Sequence, residues 1–164
     1  MSNYYFDTSA VVKLYVSEAG SAWVERIVSQ RDENGFAHTI AFVKIGIVEA
    51  AAALTRRQRM GDITLPERNQ LYTSFMRDSN RRYVTLSVND DLLLLAAELT
   101  QRHLLRGYDA VHLAGALKLK QQMIAVHLPD VVFVSADEML CDTACAEGLI
   151  AENPNTYGGQ NVQV

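Results

Sequence analysis

Short apolar runs and longer stretches of helical period take turns along this chain. Residues 3–6, 36–40, 83–86 and 131–134 read as buried strands, because each is brief, rich in aromatic or β-branched residues and bounded by turn formers or capping residues. Residues 149–151 suggest one last short strand. Between the strands the period is helical. Thr8 and Ser9 are placed to cap a short helix containing Val11, Val12 and Leu14. Ser17 opens a second helix to about residue 30, with Trp23 and Ile27 on one face, and residues 31–35 form a loop. Residues 41–60 read as one helix that stops at Gly61, a natural residue to follow a helix end. Thr64-Leu-Pro-Glu67 is a capping box for a helix to about residue 79. Ser87 caps a leucine-rich helix to about residue 103, and another helix runs from near Asp109 to about residue 121. Ser135-Ala-Asp-Glu138 reads as a second capping box, for a helix ending at Gly148. Residues 153–164 are polar and rich in Asn and Gly, so the expected domain spans 1–152 and the remainder reads as a flexible tail.

Strands that alternate with helices predict an α/β fold, a mostly parallel sheet with helices on both faces. Ligands of such sheets bind outside the carboxyl ends of the strands. Asp7 directly follows the first strand, and Asp137 follows the 131–134 strand by three residues. Two carboxylates therefore fall on the ligand edge.

A third acid stands out by the company it keeps. On the 41–60 helix, Phe42, Ile45, Gly46, Glu49, Ala52 and Ala53 share one stripe, which puts Glu49 on a face that should point inward. A lone carboxylate is costly to bury, so it must be neutralised, paired or bound to metal. Asp109, at a helix start, is the fourth. Each acid also has a plain structural use. Asp7 and Asp137 suit helix caps, Asp109 suits a helix N-terminus, and Glu49 would be satisfied by a basic partner. A hard divalent cation held by carboxylates from distant parts of the chain would account for all four together.

Composition changes this picture little. The chain has 164 residues, enough for one domain with a sizeable core, and no apolar run long enough to suggest a membrane span. The first residues lack a basic leader pattern, so a cytosolic protein is expected. Cys141 and Cys145 suit two reduced thiols. Net charge is −4, from 15 basic and 19 acidic residues. Setting aside Asp7, Glu49, Asp109 and Asp137 leaves the rest balanced, so global charge does not exclude an RNA partner. No phosphate-binding glycine loop, dinucleotide fingerprint or nucleophilic triad is visible.

Four segments carry a resemblance. Residues 5–15 (YFDTSAVVKLY), 48–54 (VEAAAAL), 107–114 (GYDAVHLA) and 134–138 (VSADE) are similar, in order and across nearly the whole chain, to the signatures of the PIN domain. They resemble in particular the VapC-type toxin ribonucleases of bacterial toxin–antitoxin pairs. That resemblance implies an α/β/α sandwich and an endoribonuclease dependent on Mg²⁺ or Mn²⁺. It implies an acidic metal-binding and catalytic quartet of Asp7, Glu49, Asp109 and Asp137, with Ser9 and Ser135 orienting the acids or a metal-bound water. It also implies a small VapB-like antitoxin and a homodimer. Gly46 departs from the pattern, since many relatives carry Ser or Thr three residues before the glutamate.

His112 follows Asp109 by one turn and is a candidate to face the site from behind the acids. Lys13, Arg56, Arg57 and Arg106 are the candidates for RNA phosphates. A receiver-type regulatory module fits less well, because no acidic pair follows the first strand. A haloacid-dehalogenase phosphatase would want an aspartate at position 9, where Ser9 stands.

Overall fold

The computed structural model describes residues 2–158. β1 (Ser2–Phe6) leads into α1 (Thr8–Val12) and α2 (Ser21–Ser29), followed by a small antiparallel hairpin, β2 (Arg31–Asp32) and β3 (Gly35–Phe36). β4 (His38–Val43), α3 (Gly46–Met60), α4 (Leu65–Arg81), β5 (Val84–Leu86), α5 (Asp90–Arg102) and α6 (Gly107–Ala125) come next. β6 (Val131–Val134), α7 (Glu138–Ala146), β7 (Ile150–Glu152) and a 3-10 turn at Pro154–Tyr157 complete the elements of the described residues. Five strands form one sheet in the order β5-β4-β1-β6-β7, and every neighbouring pair is parallel.

Alternation along the strands builds two cores. Tyr5, Ala41, Val43, Val131 and Phe133 face the layer of α5, α6 and α7. Phe6, Ile40, Phe42 and Val134 face the layer of α1, α2, α3 and α4. Both faces are covered, which is why these strands carry unbroken apolar runs rather than an alternating pattern. The expected α/β/α sandwich is present.

Several boundaries differ from the sequence expectation. Ala41, Phe42 and Val43 belong to β4, and α3 begins only at Gly46. Pairing of all three with β5, and of Ala41 with β1 as well, outweighs the helical period that their spacing also satisfies. Phe42 is therefore a sheet residue and not part of a helical stripe with Glu49. Helix α2 starts at Ser21, after Gly20 takes a positive φ of 82°. Three caps also move. Asp7, not Thr8 or Ser9, caps α1, Asn89 rather than Ser87 caps α5, and Asp137 rather than Ser135 caps α7.

Residues 153–158 of the expected tail are ordered. The Tyr157 ring stacks on Trp23 at 4.9 Å, and Pro154 lies so close to Gly20 that a Cβ there would sit 2.3 Å from the proline carbonyl oxygen. Residues 159–164 lie outside the described residues.

Candidate active site

At the carboxyl edge of the sheet a cleft of about 500 Å³ is lined by Asp7, Glu49, Asp109 and Asp137. Each acid arrives by a different route. Asp7 is the first residue after β1, and Asp137 closes the short turn after β6. Glu49 lies in the first turn of α3, which β4 feeds. Asp109 lies in the first turn of α6, which descends to the start of β6.

Asp7 is buried and held by three donors. Its Oδ1 accepts from the Ser9 hydroxyl at 2.7 Å and the Ala10 amide at 2.9 Å, and its Oδ2 accepts from the Ser135 hydroxyl at 2.6 Å. Both serines are cross-braces. Ser9 Oγ also accepts from the Ala136 amide at 2.8 Å, and Ser135 Oγ from the Asp137 amide at 3.0 Å. The loops after β1 and β6 are thus tied through hydroxyls that touch Asp7, and Asp7 caps α1 in the same geometry. Capping and site membership are compatible uses of one carboxylate.

Glu49 is held by residues on two other elements. Its Oε2 accepts from Thr8 Oγ1 at 2.8 Å and from His112 Nε2 at 2.7 Å. His112 is buried, and its Nδ1 lies 3.4 Å from the Tyr5 hydroxyl. With Nε2 on Glu49 and Nδ1 facing the Tyr5 hydroxyl, both ring nitrogens have a partner. Burial pushes the Glu49 carboxyl up, but His112 and the Thr8 hydroxyl outweigh it and hold it below the usual carboxylate range. Thr8 also explains Gly46. A Cβ there would meet Phe42 Cδ2 at 3.0 Å and Thr8 Oγ1 at 3.2 Å. Glycine leaves room for the Thr8 hydroxyl, and the first position of a helix tolerates it better than the interior does.

Asp109 is pushed the other way. Its half-burial raises it first, and the charges of Asp137 and Asp7 add to that, with Arg106 and His112 pulling partly back. Asp109 thus feels the charge of two other acids.

The acids do not gather as tightly as the sequence suggested. Among the described residues no three His, Cys, Asp or Glu side chains stand in a group placed to hold a metal ion. Asp7, Glu49 and Asp137 each turn an oxygen to a protein donor nearby. In kind the residues fit a hard divalent cation. Every acid donor is a carboxylate oxygen, and the repulsion that raises Asp109 is charge that a cation would relieve.

The basic candidates separate. Arg56 and Arg106 are exposed and line the cleft, and Arg57 lines it half-buried. Lys13 does not line it. Its ammonium is buried, donating to Glu18 Oε1 at 2.9 Å and to the Ala19 carbonyl at 2.7 Å. As a phosphate contact Lys13 is corrected: a buried lysine keeps its counter-charge. Glu18, Thr8 and Tyr5 escaped the sequence reading. Thr8 alone left a trace, as a hydroxyl beside Asp7. Cys141 is buried, its thiol pushed up to about 12 by burial and then by Asp7, while Cys145 is exposed.

Ribonuclease VapC45 of Mycobacterium tuberculosis (strain CDC 1551 / Oshkosh) is 31% identical over 126 residues, which span 77% of this chain and 83% of the relative. Ribonuclease VapC49 of strain ATCC 25618 / H37Rv matches to the same extent. The chain belongs to the VapC family of PIN-domain ribonucleases. Two solved structures share the fold. PAE2754 from Pyrobaculum aerophilum superposes with a TM-score of 0.55 at 20% identity, over 92% of this chain and 83% of that one. VapBC2 from Rickettsia felis, solved bound to a DNA fragment from its promoter, gives 0.54 at 15%, over 92% and 98%. No protein-family model matches the chain. Among the described residues no helix is long and apolar enough to cross a membrane.

Proposed function

We propose that this VapC-family chain is an endoribonuclease that hydrolyses RNA phosphodiester bonds in the cytosol with Mg²⁺ or Mn²⁺. It acts as a toxin and is restrained by a small VapB-like antitoxin. The observation that carries the reading is four carboxylates facing one cleft whose rim bears Arg56, Arg57 and Arg106. The acids would hold the cation, and the arginines would take phosphates on either side of the scissile bond.

The residues divide the work. Asp7, fixed by three donors, is the rigid ligand, and Asp109 and Asp137 complete the set. Glu49 stays ionised at neutral pH and uses Oε2 for His112 and Thr8, which leaves Oε1 for the cation or for a proton. When bound, the cation would lower the pKa of water and offset charge developing on the phosphate. The protein supplies orientation.

The test is cleavage of single-stranded and structured RNAs in Mn²⁺ or Mg²⁺. Chelator should stop it, and Asp7→Asn should abolish it while the protein stays folded. Chelator-resistant cleavage, or full activity in Asp7→Asn, would overturn the mechanism. Copurification with the product of the adjacent reading frame tests the antitoxin. A homodimer is favoured by α5, where Leu93 and Leu94 are 46% and 65% exposed beside buried Leu92. Light scattering at tens of micromolar decides it, and a strict monomer refutes it.

A further inference from the structure

Glu18 stands in the active-site cleft with no part in the acidic set. It sits in the loop between α1 and α2 and lines the cleft beside Arg56 and Arg57. One carboxylate oxygen, Oε1, is anchored from behind by the buried Lys13 ammonium at 2.9 Å. The other, Oε2, accepts from the Arg57 guanidinium on α3. The loop itself is fixed. The Glu18 amide donates to Ser21 Oγ at 3.0 Å, and that hydroxyl donates to the Val16 carbonyl at 3.1 Å. Gly20, two residues on, is packed against Pro154. A carboxylate so placed is not a loose surface charge. It is a fixed anion that turns one rim arginine toward the protein.

The two oxygens differ in what they can give up. Releasing Lys13 would strand a buried ammonium, which is costly. Releasing Arg57 exposes a half-buried guanidinium at the mouth of the cleft, where an incoming phosphate offers the same forked, anionic acceptor. Arg56, on the same turn of α3, and Arg106, across the cleft, are exposed and have no ion-pair partner among the described residues.

We propose that Glu18 is a built-in phosphate surrogate. It keeps Arg57 paired until an RNA phosphate displaces its Oε2, so Arg57 is a substrate-gated contact while Arg56 and Arg106 are permanent ones. This rests on the ribonuclease reading and adds a positioning residue to it. The Glu18 contact lowers affinity for any anion that must displace it from Arg57, so Arg57 is given up only to a phosphate placed to take over its fork.

The test uses a net-neutral variant, Lys13→Met with Glu18→Gln, which removes the anchored pair without changing overall charge. Binding of a 5′-labelled single-stranded RNA is followed by fluorescence anisotropy in chelator, so that no cleavage intervenes. The freed Arg57 should tighten binding about three- to fivefold, the upper range for one exposed ion pair. It should also steepen the slope of log K against log salt by about 0.7, one added contact to a single strand. Adding Arg57→Ala to the double variant should erase both changes. Equal or weaker binding by the folded double variant, or a gain that survives Arg57→Ala, overturns the proposal. Should the double variant not fold by circular dichroism, Arg57→Ala in the otherwise unchanged protein decides. Weaker RNA binding supports the hand-over, and unchanged binding refutes it. Wild-type protein that cuts no RNA in Mn²⁺ would instead refute the ribonuclease reading, whatever Glu18 does.

Discussion

Thr8 is the residue on which the arrangement around Glu49 turns. Its hydroxyl and the His112 ring share one carboxylate oxygen, so neither alone fixes the glutamate. Thr8→Val keeps the shape and removes the donor. It should lower kcat/KM on RNA about tenfold, the low end for losing a residue that orients a ligand, with a stability loss of about 1 kcal/mol. Steady-state kinetics and urea unfolding check both. Asp109 offers a sharper contrast. Its folded-state pKa is raised above the ordinary 3.8, so the folded protein holds that proton more tightly than the unfolded chain. The contribution favours folding below 3.8 and is lost as pH rises through the raised value. Asp109→Asn removes that loss. In chelator at pH 7 it should melt at or above wild type, with the gap closing as pH falls toward 4, and it should gain much less from added Mn²⁺. If Asp109 served only the helix N-terminus, the variant would instead lose about 0.3–1 kcal/mol and keep the full metal response. Melting curves in chelator and in Mn²⁺ separate the two.

At the scale of elements, the site depends on how closely α6 lies on β1. Gly115 on α6 is buried, and a Cβ there would fall 2.6 Å from the Tyr5 hydroxyl oxygen. Tyr5 is fully buried between Phe133, stacked at 5.8 Å, and His112, so its ring has nowhere to go. Gly115→Ala gains up to about 1 kcal/mol in helix propensity. Overpacking should cost about 1–3 kcal/mol and turn the sum unfavourable. Because the displaced hydroxyl is the partner of His112 Nδ1, RNA cleavage should fall as well. Tyr5→Phe in the same protein removes the clashing oxygen. Denaturation of the two single variants and the double should show the pair less destabilised than the sum of its parts. Strict additivity would mean that the two side chains do not meet.

The whole molecule is closed by its last described residues. The 3-10 turn at Pro154–Tyr157 lies against Gly20 and Trp23, and Asn155 Nδ2 donates to the Ala136 carbonyl at 3.4 Å. One short segment therefore braces the loop that carries Glu18 and the loop that carries Asp137. Truncation after Glu152 should lower the melting temperature, and Tyr157→Ala alone should cost about 0.5–1.5 kcal/mol from the lost aromatic pair. A flexible tail predicts no change in either. Differential scanning calorimetry of the three proteins decides.

Alternation of apolar runs with helical stretches determined the layered parallel sheet, because the central strands are too short and too apolar to be anything but buried on both faces. Asp7 and Asp137 after strands, Asp109 at a helix start and Glu49 on an inward helical stripe pointed to the candidate quartet, because carboxylates so placed have few uses besides capping, pairing and coordination. Local signals were ambiguous where two readings satisfied the same spacing. Residues 41–43 fit a helix as well as a strand, and only pairing of β4 with β5 and β1 chose the strand. Ser135 suits a helix cap, and only its meeting with Asp7, 128 residues away, gave its hydroxyl another task. Lys13 read as a phosphate contact and Glu18 drew no reading, because burial of a polar side chain is set by what packs over it and leaves no mark in its neighbours in sequence. Trp23 and Tyr157 likewise became partners only when the sheet brought the two ends of the chain together. Pattern along the chain decides what each segment is. Contacts between segments decide which polar groups are shielded from water, and that shielding sets the partners each group in the cleft keeps.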